Sequence, residues 1–239
     1  MVNIDLRGTA VWPKRIPPLT DDQLRMRDLF MARWLEELPS RYGVIERFNH
    51  GYAAPATKED AFGRTLEIGA GLGAHLKYEP GAGSDYYAID LRPELVDAMH
   101  SKYPVVTALV GDIQEGLPFD ACFFDRVLGI HVLEHLSDLP RALDEVYRVL
   151  SPRGTLKVVI PCEGGVAYSF ARRISAQRMF EREFQTSYRW LIRSEHVNVP
   201  WEIFGELRKR FELVDATYFP LRLPVVALNL AIGLTLTKL

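Results

Sequence analysis

Cysteine is almost missing from this chain: Cys122 and Cys162 are the only two in 239 residues, far apart and in no C-x-x-C pair. That excludes a disulfide framework and a thiolate zinc site, and it fits a reducing, cytoplasmic compartment. An excess of one charge is missing too. With 29 Lys and Arg against 31 Asp and Glu, the net charge of -2 exerts no overall pull on nucleic acid, which is not expected as a partner. No apolar run reaches the about 20 residues a membrane helix needs. The longest, Val225 to Leu236, follows Pro220, Arg222 and Pro224 and predicts a hairpin strand buried in a sheet. A peripheral membrane contact through Phe219 to Val226 is the alternative, and no integral span is expected. Met1 to Ala10 carries Asp5 and Arg7 and no apolar signal core, so no export signal is expected.

What the chain does have is a sizeable apolar content, 48%, enough for one globular domain with additions. Thr20 with Gln23 reads as a capping box, and Leu24, Leu29, Phe30, Trp34, Leu35 and Leu38 then recur at helical spacing until Pro39. Ser40 to Phe48 leads into Asn49-His50-Gly51, read as a loop. From Arg64 the pattern changes to short apolar runs: Thr65 to Ile68, Tyr86 to Ile89, Val105 to Val110, Phe123 to Ile130 and Thr155 to Ile160. Helical patterns alternate with them, which predicts βαβ units and a doubly wound α/β sheet. Leu150-Ser151-Pro152-Arg153-Gly154 predicts a turn before the fifth strand. Residues 1–60 are expected to form a helical cap, 61–239 the main domain, and 163–200 a lid after strand five. Asn198 and Pro200 start a helix through Phe204, Leu207 and Phe211, and two more strands follow, Glu212 to Phe219 and Asn229 to Leu236.

In an open parallel sheet, ligands bind beyond the carboxyl ends of the strands, so the residues after each apolar run are the candidates. Glu67-Ile68-Gly69-Ala70-Gly71-Leu72-Gly73 is a strand followed at once by a glycine turn. Taken alone it is ambiguous. Gly69, Gly71 and Ala74 also satisfy the dinucleotide pattern, with Asp90 about 20 residues on, where an NAD enzyme places its ribose-binding acid.

The neighbouring motifs separate the two readings. Glu67, Gly69, Gly71 and Gly73, then Asp90 after Tyr86 to Ile89, Gly111-Asp112-Ile113, and Leu150 to Gly154 together resemble the ordered motifs of class I S-adenosylmethionine (SAM)-dependent methyltransferases. The resemblance is close from Thr65 to Pro161 and loose over the last two strands. It implies a seven-stranded Rossmann-like sheet with its last strand antiparallel, and SAM as cofactor with S-adenosylhomocysteine as product. It further implies that Asp90 accepts hydrogen bonds from the ribose, that Asp112 lies beside the adenine, and that Ala70, Leu91, Ile113 and Ile130 line the site.

His131-Val132-Leu133-Glu134-His135 also spells the H-x-x-E-H zinc signature. It follows a strand in the βαβ series, and Val132 to Leu136 resembles the type 11, ubiquinone-biosynthesis-like methyltransferases, so no metal site is expected in the chain. Glu134 and His135 are expected to be helix-start and packing residues. Histidine suits removal of an acceptor proton near neutral pH, and His131, His196 and His50 are the candidate bases, in that order. Between Gly165 and Arg193, six arginines face two glutamates, which suits a phosphorylated or carboxylated small-molecule acceptor. The expected reaction is methyl transfer to oxygen or nitrogen. Weaker resemblance of Pro17 to Thr20, Phe48 to His50 and the chain's end to envelope-polysaccharide and natural-product methyltransferases suggests a sugar or sugar phosphate acceptor. A quinone-precursor methyltransferase, an NAD-dependent oxidoreductase, a zinc hydrolase and a non-catalytic SAM-binding protein are the alternatives. Oligomeric state is not encoded in any motif found.

Overall fold

The computed structural model describes residues 10–41, 43–55, 63–79, 81–83 and 85–239, with no side-chain description for 35–41. The first nine residues and the expected domain boundary at 60/61 lie outside the described residues.

Seven strands form one sheet: β1 (Thr65–Ile68), β2 (Tyr86–Asp90), β3 (Thr107–Val110), β4 (Phe124–Ile130), β5 (Leu150–Pro161), β6 (Phe211–Phe219) and β7 (Ala231–Lys238). Their order is β3-β2-β1-β4-β5-β7-β6, and β7 alone runs opposite to the other six. Strand order reverses at β1, which is flanked by β2 and β4 in parallel register, and the ends of these strands are where open parallel sheets bind ligands. The turn expected at Leu150 to Gly154 is a bulge inside β5. Phe124 pairs with Leu150, Arg126 already pairs with Thr155, and the intervening residues loop out. Phe211, expected at the end of a helix, opens β6 instead, because three residues of turn separate it from α8 (Pro200–Leu207).

Alternating side chains bury both faces of the sheet. Leu66, Ile68, Val127, Leu156, Val158 and Ile160 pack with α4 (Leu139–Val149) and α8. Leu128, Ile130, Val159 and Ala88 pack with α3 (Pro93–Lys102) and with Ala53 of α2 (Gly43–Ala53). Asn49-His50-Gly51 is therefore helical and not a loop. The α2 helix stays packed because Phe48 stacks on Phe219 at 4.8 Å, and the Tyr52 hydroxyl meets Asp215 and Thr235.

α1 (Asp21–Arg41) begins at the predicted capping box: the Thr20 N–H donates to Gln23 Oε1, and the Gln23 N–H donates to Thr20 Oγ1. It continues past Pro39 to Arg41, since a proline in the last turn removes one hydrogen bond without ending the helix. After β5 come α5 (Val166–Ile174), α6 (Ala176–Phe184) and α7 (Arg189–Glu195). Phe30 of α1 packs among Phe180, Tyr188 and Leu191, and so joins the N-terminal helix and the segment after strand five in one apolar cluster. No helix among the described residues is long and apolar enough to cross a membrane.

Candidate active site

Beyond Ile68 the chain turns through Gly69, Gly71 and Gly73 at φ of 63°, 56° and 70°, the left-handed region where a side chain is strained. The space around them differs. A Cβ on Gly69 would lie 2.5 Å from Val132 Cγ2, so the loop packs directly on the segment after β4. A Cβ on Gly71 would meet nothing within 4 Å, so the outer side of the loop is open.

The Gly71 N–H donates to Asp90 Oδ2 at 2.9 Å, and the Arg92 N–H donates to Oδ1 at 3.0 Å. Asp90 pairs with Val110, and the Gly111 N–H donates to the Asp90 carbonyl at 3.0 Å, which sets Asp112 at the adjacent strand end. Asp112 Oδ1 accepts from the Gln114 N–H at 2.8 Å. One edge of the sheet thus holds the glycine turn and both carboxylates. Ala70 and Ile130 are buried beside it, Leu91 is exposed, and the Ile113 side chain belongs to the core. Glu67 lies beneath the loop and accepts a 2.7 Å hydrogen bond from the Tyr86 hydroxyl. Burial pushes its carboxyl up to about 8, against the opposing pull of Tyr86.

At the end of β4, His131 adopts φ 54°, a conformation held although it has a side chain, and its N–H donates to the Val159 carbonyl. Its Nδ1 lies 3.0 Å from Glu134 Oε1. Glu134 and His135 stand in a turn, not at the start of a helix as expected, because α4 begins only at Leu139. The Glu134 side chain is fully buried, and the hydrogen bond from His131 and the charges of His131, His135 and His196 overcome its burial and hold its carboxyl near 2. Burial lowers the His135 imidazole.

The His135 and His196 rings are 5.0 Å apart and nearly perpendicular, while His196 Nδ1 lies 3.1 Å from Glu163 Oε2. The Val197 and Asn198 N–H groups donate to the Glu134 carbonyl, and Asn198 Nδ2 donates to the carbonyls of Leu133 and Leu136. The segment before α8 is thereby fastened to the turn after β4. His131 and His196 join one cluster through Glu134 and His135. His50 lies elsewhere, on α2, with its ring against His75 and Tyr78 and its Nε2 3.4 Å from Glu46.

Residues 66–158 match the family described as "Methyltransferase domain". An uncharacterized methyltransferase of Mycobacterium tuberculosis is 35% identical over 123 residues, 50% of each chain. A malonyl-[acyl-carrier protein] O-methyltransferase of Salmonella typhimurium is 30% identical over 44% of this chain and 41% of its own. Residues 66–158 thus carry a methyltransferase domain, set in a fold shared with SAM-dependent methyltransferases. The chain spans about half the length of the curated relatives it matches. Solved structures share the fold over nearly all of the chain. A TehB-like SAM-dependent methyltransferase from Corynebacterium glutamicum has TM-score 0.58 and 17% identity over 90% of this chain and all of that one. The [4+2]-cyclase SpnF has TM-score 0.63 and 18% identity over 94% of this chain and 98% of that one.

SAM is the cofactor of this domain class, and the methyltransferase domain has residues that fit it: an open cradle at Gly71 and a buried carboxylate at Asp90 whose protein donors leave acceptor positions free. Next to this edge stand Glu163, which no motif singled out, and the arginines already noted between Gly165 and Arg193. Glu163 follows β5 directly and binds both His196 and Arg172. Looking just past each strand end, the rule that selected Asp90, Asp112 and His131, also selects Glu163 when it is extended to β5. Arg172, Arg189 and Arg193 line a cavity of about 540 Å³ together with Gln177, Ser187, Tyr188 and Ile192.

Proposed function

We propose that the chain transfers a methyl group from SAM to an oxygen, or a nitrogen, of a small or medium acceptor bearing an anionic group, of the sugar or sugar phosphate kind. The observation that carries this reading is the placement of the Gly69 to Gly73 turn, Asp90 and Asp112 at three neighbouring strand ends, with His131 at the fourth.

Bound at that edge, SAM supplies an electrophilic methyl group on a sulfonium whose positive charge disappears on transfer. The chain supplies alignment. Gly71 lets the backbone approach the ligand, Asp90 takes the ribose hydroxyls on its remaining lone pairs, and Asp112 faces the adenine. His131 takes the acceptor's proton. Glu134, bonded at Nδ1, orients the ring so that Nε2 faces away and accepts the proton as the new bond to carbon forms. Arg189 and Arg193, on the cavity wall, grip the acceptor's phosphate or carboxylate bidentately. The relatives named as O-methyltransferases support oxygen as the receiving atom.

A second reading has its own observation. Leu221, Leu223, Val225 and Leu228 are exposed between β6 and β7, at the edge where Phe219 and Pro161 both pair with Ala231. That apolar rim suits a hydrophobic ring such as a quinone precursor. The test is calorimetry with SAM, S-adenosylhomocysteine and NAD, followed by turnover on sugar phosphates and on hydroxylated aromatic rings. SAM binding with methylation of a sugar phosphate supports the first reading, whereas methylation of rings alone supports the second. NAD binding without SAM binding overturns both.

A further inference from the structure

The Glu134 carboxylate has a second oxygen that the methyl-transfer reading leaves unused. Oε1 faces His131, while Oε2 is fully buried and meets no donor. A buried carboxylate oxygen without a partner forfeits its solvation with nothing in return, so an orphan here calls for an explanation. The groups around it provide one. Ligand atoms of Glu134, His135 and His196, one from each, lie within 4.8 Å of one another, the one such group of three among the described residues.

The two imidazoles are oriented as metal ligands are. His196 turns Nδ1 to Glu163 Oε2 at 3.1 Å, and His135 turns Nδ1 toward Glu195 Oε2 at 3.8 Å. Their Nε2 atoms are thereby left for other work, and His135 Nε2 faces Glu134 Oε1 at 3.9 Å. A group hydrogen-bonded behind a coordinating histidine fixes its tautomer and direction, and Glu163 stands in that place behind His196. We infer that Glu134, His135 and His196 form a binding site for a divalent transition-metal ion, with Glu163 as the outer-shell partner of His196.

Two imidazoles and one carboxylate suit zinc-class ions, and three protein ligands leave a coordination position open. Bond lengths of about 2.0 to 2.2 Å bring tetrahedral ligand atoms to about 3.4 Å apart, so the side chains need to close by no more than about 1.5 Å. His135 and His196 are only partly buried, which gives the ion a way in. The pair His131 and His135, which H-x-x-E-H suggests, is not the ligand set. Glu134 then serves both the ion and the proposed base, since its Oε1 lies 3.0 Å from His131 Nδ1 and 3.9 Å from His135 Nε2. The open position can hold an acceptor oxygen beside His131. That use rests on the methyl-transfer reading, but the site does not.

The full chain, treated with chelator and dialysed, is titrated with Co²⁺ and followed by visible absorption, then competed with Zn²⁺. The expected result is saturation at one Co²⁺ per chain and displacement by Zn²⁺. His135→Gln and His196→Gln should each weaken the affinity at least 100-fold, and Glu163→Gln should weaken it about 10-fold through His196. Far-ultraviolet circular dichroism confirms that each variant is folded. Absence of saturable absorption in the wild type overturns the site, whichever variants fold. So does an affinity unchanged in a folded His135→Gln/His196→Gln double variant. SAM affinity measured in the presence of chelator separates the two readings: its loss in the wild type defeats the cofactor assignment and leaves the metal result standing.

Discussion

Replacing Asp90 with asparagine probes the cofactor assignment most directly, because its carboxylate can be counted atom by atom. An ionised carboxylate offers about four acceptor positions. The Gly71 and Arg92 N–H groups take two, one on each oxygen, and leave about two for the ribose hydroxyls. Asparagine keeps the shape but has one oxygen. Its amide NH₂ must then face either the Gly71 or the Arg92 N–H, donor against donor, and the charge that strengthens every bond is gone. Hydrogen bonds to a charged partner contribute about 1.5 to 3 kcal/mol each. Losing two toward the ribose costs about 3 to 6 kcal/mol, which raises the dissociation constant for SAM roughly 10²- to 10⁴-fold. Asp90→Ala should weaken binding at least as much, since it also frees the Gly71 N–H from its anchor. Calorimetry with SAM and S-adenosylhomocysteine reads the effect, and thermal unfolding without ligand checks that the fold survives. A change smaller than threefold in a folded variant would refute the assignment of Asp90 to the ribose.

Four further outcomes follow from the same geometry. His131→Gln and His196→Ala should leave SAM affinity within a few fold while lowering turnover, His131→Gln by about 10² to 10⁴ as expected for loss of a general base; equal loss of SAM binding in calorimetry would place these residues in the cofactor site instead. Gly69→Ala should destabilise the protein by about 1 to 3 kcal/mol, because its Cβ meets Val132 at 2.5 Å at a positive φ. Adding Val132→Ala relieves the clash but not the φ strain, so a denaturant double-mutant cycle should recover only part of the loss. Glu67 titrates at about 8 in the folded chain, above its ordinary value, owing first to burial. The folded state then holds a proton the unfolded state has lost, so stability falls as pH rises from about 4.5 to 8, at about 1.4 kcal/mol per pH unit. Denaturation across that range should show a shallower fall in Glu67→Gln. Arg189→Ala with Arg193→Ala should raise KM for a phosphorylated acceptor at least tenfold and leave KM for SAM alone, as steady-state kinetics with each substrate varied will show.

The amino-acid sequence by itself determined the parts of this protein that are local. A short apolar run followed by Gly or Asp is both a strand and the start of a ligand-facing turn, so the first strands and the Gly69 to Gly73 turn could be located, although β5 starts five residues earlier than the expected Thr155 and β7 runs two residues beyond Leu236. Asp90 and Asp112 could be placed as well, because a parallel sheet puts successive strand ends side by side. What the sequence could not carry were pairings that no periodicity records. Asn49 to Gly51 reads as a loop by composition, yet Phe48 and Tyr52 hold it as a helix against β6 and β7. Glu134 and His135 read as the start of a helix, and only the return of the chain before α8, through Asn198, brings His196 and Glu163 around them. The physical reason is that strand ends are ordered by the backbone's own repeat, whereas a buried carboxylate gathers whichever charged and polar partners the packing of distant segments delivers to it.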